Sequence, residues 1–164
     1  MSLTSPGFAA IDVKGRVPYL VATSHVKTDT TDSQALRYEI IEAHALLFFR
    51  QYRPVDTVVR EIWPPSRNYA QNDKLHGAWS AVDRALDRLG LAVTVNITPS
   101  RVKSLVTGNG RAEKPEVADA VRKWLRLPAE YKFATDDESD ACAIVLAHLI
   151  AENLIDRIAG VGAA

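Results

Sequence analysis

The chain is 164 residues long and 47% hydrophobic, which is enough to form the core of one ordinary domain. Its 20 basic and 20 acidic side chains cancel, so any nucleic-acid binding must rest on local clusters of charge. One cysteine excludes an internal disulfide, which suits a reducing cytoplasm. No stretch reaches the roughly 20 apolar residues of a membrane span, and the first residues lack a secretion signal. We therefore expect one cytoplasmic domain over residues 1–164, with a loose tail at 160–164.

The first third of the chain predicts a β-hairpin followed by a long helix. Residues 8–13 and 17–26 are β-rich runs, and the turn-forming residues 14–16 join them. Asp32 and Ser33 are plausible caps of the helix, which Pro54 ends. Its apolar residues recur at helical spacing, a pattern typical of a helix that packs against a core: Leu36, Ile40, Ala43 and Leu47.

The middle of the chain predicts strands that alternate with helices. The β-branched run 55–62 predicts a buried strand with Glu61 near its end, and residues 91–97 predict the next strand. Between them, residues 72–89 predict an amphipathic helix. Because this helix is a crossover connection, we expect the two strands to pair in parallel. The element order predicts the α/β class, with a mixed sheet flanked by helices.

Two shorter helices precede a cluster of acids. Residues 98–108 and 115–127 predict these helices, each with a proline near its start. Residues 136–140 then place four acids directly before an apolar run, although capping a helix requires one acid. Asp137 and Asp140 lie three residues apart on one face, where a divalent cation would offset their repulsion. A well-capped surface helix is the alternative for this stretch.

Three segments occur in an order that matches a known family: residues 58–61, 101–114 and 137–143. Together they resemble the RuvC family of Holliday junction resolvases, in the ribonuclease H-like superfamily. The likeness runs from about Pro6 to His148, and the variant resembles phage enzymes more than the bacterial housekeeping enzyme.

The resemblance implies an active site made of carboxylates. Carried over to this sequence, the strand glutamate is Glu61 and the helix acids are Asp137 and Asp140. Phosphodiester cleavage needs an activated water and a stabilised leaving oxygen, which two divalent ions about 4 Å apart provide. Magnesium prefers such carboxylate ligands, so the resemblance implies Mg²⁺, with Mn²⁺ as a possible substitute.

The resemblance also implies contact with DNA near the flexible loop at Gly108 and Gly110. The basic residues clustered beside that loop are candidates to hold phosphates: Arg101, Lys103, Arg111 and Lys114. Trp63 and Tyr69 are candidates to stack on unpaired bases at a branch point. The alternatives are solvated basic residues at helix ends and a Trp63 packed in the core.

One acid of the family pattern has no counterpart in this sequence. In the family, an aspartate ends the first strand, which lies mid-sheet between the strands that begin here near residues 8 and 55. That aspartate would precede Met1, and Asp12 lies in the wrong register to replace it. We expect the chain as printed to lack this strand and to be inactive, or nearly so, until about five to ten upstream residues are restored.

These expectations point to a metal-dependent endonuclease that cleaves Holliday junctions or other branched DNA in recombination, repair or phage DNA processing. Symmetric cutting of two strands calls for two sites related by a two-fold axis, so a homodimer is expected. Two alternatives stay open. One is a non-cleaving protein that binds branched nucleic acid, and the other is a ribonuclease H-like enzyme that acts on RNA.

Overall fold

The computed structural model describes residues 3–62 and 69–161, apart from the side chains of Tyr69 and Gln71. The described strands are β1 (Gly7–Lys14), β2 (Val17–His25), β3 (Val59–Glu61) and β4 (Val95–Ile97). The described helices are α1 (Gln34–Gln51), α2 (Tyr69–Asp87), α3 (Pro99–Thr107), α4 (Lys114–Trp124) and α5 (Asp136–Ala151). This order confirms the predicted α/β class. None of these helices has the length and apolar character needed to cross a membrane.

Strands β1 and β2 form the predicted antiparallel hairpin. Gly15 and Arg16 both have positive φ angles, of 54° and 64°, as the tightest hairpin turns require. The Arg16 guanidinium donates hydrogen bonds to the Asp156 carboxylate and the Asn153 carbonyl oxygen. The segment after α5 therefore closes onto the tip of the hairpin.

Strands β3 and β4 pair in parallel, as the crossover connection predicts. Both are shorter than the predicted runs 55–62 and 91–97. The amides of Thr94 and Val95 both donate to the Val58 carbonyl oxygen. This shared acceptor interrupts the regular ladder of hydrogen bonds and shortens both strands. The ladder places Glu61 opposite Ile97 at its last step.

The strands form a middle layer between two groups of helices. Phe8 and Val58 belong to a buried cluster shared with α1 and α2. Ala9, Ile11 and Val59, which point the other way, pack on a second cluster formed mainly by α3, α4 and α5. Val161 packs against the second cluster and is partly buried, and residues 162–164 lie outside the described part of the chain.

The expected single sheet is two separate ladders in the described residues. There, β1 pairs with β2 alone and β3 pairs with β4 alone. Both β1 and β3 pack against α5, and Phe8 and Val58 share one buried cluster, so the two ladders lie in the same layer.

The apolar stripe predicted on α1 does not face the core. Leu36 and Leu47 are 44% and 65% exposed, and the buried face consists of other residues: Arg37, Ile41, Glu42, Ala45 and Phe48. Charge on the core side is tolerated because the Glu42 carboxylate pairs with Arg84 of α2 at 2.6 Å. The amphipathic character predicted for the helix over residues 72–89 is confirmed in α2, where Trp79, Val82 and Leu86 are buried.

Candidate active site

The acid cluster occupies the first turn of α5, as the sequence predicts. Thr135 is the N-cap residue, and the helix begins at Asp136. The unpaired backbone amides and the helix dipole favour negative charge at this end. The site is therefore built on a helix N-terminus whose apolar continuation is anchored in the core, where Cys142 and Leu146 are fully buried.

Strand β1 meets this helix turn at Gly7. A Cβ atom added to Gly7 would lie 2.1 Å from the Asp137 carbonyl oxygen and 3.0 Å from the Glu138 nitrogen. No side chain fits in that space, because both neighbours are backbone atoms held by the helix. Gly7 therefore fixes the start of β1 directly against the acid cluster.

Glu138 anchors the helix turn to strand β2. Its carboxylate is buried and accepts hydrogen bonds from Thr23 Oγ1 at 3.1 Å and from the Ala134 amide at 3.1 Å. The His25 Nδ1 atom lies 2.8 Å from the other carboxylate oxygen. Sequence reasoning missed this role, since Glu138 cannot be distinguished from its acidic neighbours without knowing which strand lies beside it.

The two acids singled out on α5 are both half-buried. The pKa of Asp140 is raised, first by burial, and further by the negative charges of Asp137 and Asp136, while the positive charge of Lys114 opposes the shift. Burial and the neighbouring acids thus both disfavour the charged form of Asp140. A bound cation would offset both effects.

Lys114, the first residue of α4, extends towards the acids. Its Nζ atom donates to the Asp136 carboxylate at 3.3 Å. Partial burial would lower the pKa of Lys114, but the bond to Asp136 and the charges of Asp140 and Asp137 outweigh it, and the pKa is raised. The ammonium group stays charged and also stays accessible, with 62% of its side chain exposed.

The other basic candidates lie on α3 and on the turn before α4. Arg101 is exposed near the start of α3 and lines an open groove with Asn96, His148 and Glu152. Lys103 is half-buried on α3, and Arg111 is exposed on the turn before α4. Trp63 and the side chain of Tyr69 lie outside the described residues. The proposed DNA contacts of all six residues therefore stay predictions.

Glu61 is the last residue of β3, which packs against α5. Among residues 3–62 and 69–161, however, no group of three or more His, Cys, Asp or Glu side chains is placed to hold a metal ion. The convergence of Glu61 with Asp137 and Asp140 therefore stays a prediction. Asp12 is a surface acid, as expected, and its carboxylate pairs with Lys14 at 3.6 Å.

Comparison with known proteins identifies the family. The profile described as "Crossover junction endodeoxyribonuclease RuvC" matches residues 2–148, which include Glu61 and the acids of α5. The chain belongs to the RuvC family. A RuvC protein from Heliobacterium modesticaldum is 34% identical, with 85% of this chain and 84% of the relative covered. One from Alkalilimnicola ehrlichii is 31% identical over 96% of this chain and 92% of the relative.

Solved structures agree with this assignment. A Thermus thermophilus RuvC structure superposes with a TM-score of 0.78 at 29% identity and covers 93% of this chain and 92% of its own. RuvC from the same organism in complex with a Holliday junction substrate also gives a TM-score of 0.78, at 25% identity and 98% coverage of this chain. The ribonuclease H-like fold predicted from the resemblance is thus confirmed. The relatives named here are bacterial, and the phage-like character of the variant stays a prediction.

RuvC nucleases depend on a metal ion, and the residues of this chain offer suitable ligands. Carboxylate oxygens are hard donors of the kind that divalent cations prefer. Asp140 supplies the supporting observation, since burial raises its pKa and a bound cation would favour its charged form. The donor chemistry of the α5 acids therefore fits a cation.

Proposed function

We propose that this protein is a metal-dependent endonuclease that cleaves four-way DNA junctions and related branched DNA. The observation that carries the proposal is the family match over residues 2–148, a span that contains Glu61, Asp137 and Asp140. Its structural likeness to a RuvC protein bound to a Holliday junction supports the same substrate class. Recombination, repair or phage DNA processing in the cytoplasm is the corresponding setting.

Three carboxylates are the proposed metal ligands in this chain: Glu61, Asp137 and Asp140. Magnesium is the proposed ion, with manganese as a substitute, because both accept carboxylate and water oxygens. When bound, such ions supply an activated water and stabilise the leaving oxygen of the phosphodiester. The chain itself contributes rigidity, since Gly7 and Glu138 fix the helix turn that carries two of the three acids.

The basic residues are proposed to hold the phosphates that flank the cut. Lys114 is the best supported, because its ammonium group lies beside the acid cluster and is more than half exposed. Arg101, Lys103 and Arg111 extend the positive surface along α3 and the turn before α4. Trp63 and Tyr69 are proposed to stack on unpaired bases at the branch point. A homodimer would present two such sites to one junction.

A non-cleaving junction-binding protein is the second candidate. The observation that favours it is that, among residues 3–62 and 69–161, no group of three or more His, Cys, Asp or Glu side chains is placed to hold a metal ion. Both candidates share the junction-binding surface. They differ in chemistry, so a cleavage assay distinguishes them.

The test incubates the protein with labelled four-way junction, flap and linear duplex DNA, in magnesium or in chelator. We expect the protein to bind the junction and to cut it only with magnesium. Junction binding without cutting would favour the non-cleaving candidate. Equal binding of junction and linear duplex would contradict both candidates.

A further inference from the structure

Strand β4 lies at the edge of its ladder, because in the described part of the chain it pairs with β3 alone. The Val95 amide donates to the Val58 carbonyl oxygen, and the Ile97 carbonyl oxygen accepts from an amide that follows β3. Both residues therefore direct their backbone groups towards β3. Because successive residues of a strand alternate in this direction, the amide and carbonyl of Asn96 face away from β3, along a free edge.

This edge lacks the commonest protection against pairing with another chain. Natural proteins guard exposed edges with charged residues, proline or local irregularities. The segment 91–98 has the sequence LAVTVNIT, which contains neither a charged residue nor proline and has a high propensity for strands. The irregular bonding at Thr94 and Val95 lies at the start of β4. The edge beyond it is therefore suited to accept a further strand.

An open groove of about 390 Å³ lies beside this edge. Leu105 of α3 and Ala151 at the end of α5 contribute apolar surface to it. Four consecutive residues of β4 and the following N-cap also line it: Val95, Asn96, Ile97 and Thr98. An extended segment in the groove would bond to the Asn96 backbone and direct alternate side chains towards Leu105 and Ala151.

The charges of the groove define the chemistry of such a segment. Arg101 is exposed on α3, whose first turn contains no acidic residue, and the exposed Glu152 follows the last residue of α5. An acidic side chain beside Arg101 and a basic one beside Glu152 would complement both charges. A DNA strand within the groove would meet Glu152 as a repelling charge and could not extend the backbone ladder.

We propose that the free edge of β4 is a docking site for an extended peptide segment of a partner protein. The segment adds to the ladder as a strand, with apolar side chains towards Leu105 and Ala151 and an acidic one beside Arg101. Backbone bonds to Asn96 supply affinity, and the alternate side chains supply specificity. Docking of this kind requires neither metal nor DNA, so it is independent of the proposed nuclease chemistry.

Selection from a displayed library of random peptides of about ten residues, the upper range of strand lengths, tests the proposal. We expect the selected peptides to bind Asn96→Pro at least about tenfold more weakly than the parent, because proline removes the free amide at a position where an edge strand tolerates it. Asn96→Ala is the matched control, since it keeps the amide and should bind within about twofold of the parent. Failure to select any peptide, or equal weakening by both variants, would overturn the proposal. Circular dichroism verifies that each variant is folded.

Amide hydrogen exchange measured by NMR at individual residues gives a second test that needs no variant. A selected peptide should slow exchange of the Asn96 amide at least about tenfold and leave the amides of β1 and β2 unchanged. Slowing by four-way junction DNA alone would assign the groove to DNA and overturn the proposal. Slowing that grows with protein concentration alone would assign the edge to pairing between copies, with the same consequence.

Charge reversal tests the contact with Arg101. Arg101→Glu should weaken binding of a selected peptide, and replacing the acidic residue of that peptide with lysine should restore the affinity to within a few-fold of the parent pair. Failure to recover would overturn the assigned contact. These measurements follow peptide binding, so a failed cleavage assay and a failed docking assay remain separate results.

Discussion

Replacing Gly7 with alanine tests how β1 is joined to the acid cluster. The added Cβ would lie 2.1 Å from the Asp137 carbonyl oxygen, whereas ordinary contact begins at about 3.4 Å, so strand and helix must separate by about 1.3 Å. Forcing extra volume into a packed contact costs about 1–3 kcal/mol. For a chain of this length, each kcal/mol lowers the melting temperature by about 2–4 °C, so a fall of roughly 3–10 °C is expected.

Thermal unfolding followed by circular dichroism measures this effect. Gly110→Ala is the matched control, because its Cβ would meet the Ser100 carbonyl oxygen at 3.3 Å, a far smaller overlap. We expect the Gly7 variant to melt several degrees below the control. Where cleavage is measurable, it should fall by about 10²-fold, since a displacement near 1 Å moves the helix acids. Equal melting temperatures for the two variants would show that β1 does not press on α5 as described.

Three further predictions follow from the charges around the site. Lys103→Ala and Lys114→Ala should each weaken junction binding and reduce its salt slope by about one unit; an unchanged slope in a salt titration would remove that residue from the phosphate contacts. Asp136→Asn should tighten junction binding by up to about fivefold, because it frees Lys114 from an exposed ion pair. The gain should vanish in a Lys114→Ala background, and a gain that persists would rule out release of Lys114 as its cause. The third prediction concerns His44, whose pKa is lowered by burial and by His25. The unfolded chain therefore takes up the proton first, and stability should fall as the pH drops below about 6.5. His44→Gln should reduce this loss in urea unfolding between pH 7.5 and 5.5, and an identical loss would assign it to other groups.

The sequence predicts those features that local rules decide. The hairpin turn at Gly15, the start of α5 at the acid cluster and the buried stripe of α2 all follow from turn chemistry, capping or a single apolar face. The family resemblance added the ribonuclease H-like fold, which the structural comparison confirms. Apart from the resemblance, which rests on three segments, each of these signals lies within one short segment of the chain.

The features that sequence reasoning missed depend on contacts between distant segments. Helix α1 is apolar on two sides, and its buried face includes Glu42, whose carboxylate pairs with Arg84, 42 residues away. The roles of Gly7 and Glu138 likewise depend on which strands touch α5. The lengths of β3 and β4 depend on how these two strands meet, because the amides of Thr94 and Val95 both donate to the Val58 carbonyl oxygen. No periodicity within a single segment encodes such contacts.

The most direct test of the proposed site is cleavage of a labelled four-way junction by the protein and by its Asp137→Asn, Asp140→Asn variant. Both proteins are assayed in magnesium, and junction affinity is measured alongside in chelator. We predict that the parent cuts the junction, and that the variant does not cut but binds as well or more tightly, because negative charge facing the phosphates is removed. Magnesium-dependent cutting retained by the variant would show that the catalytic site lies elsewhere.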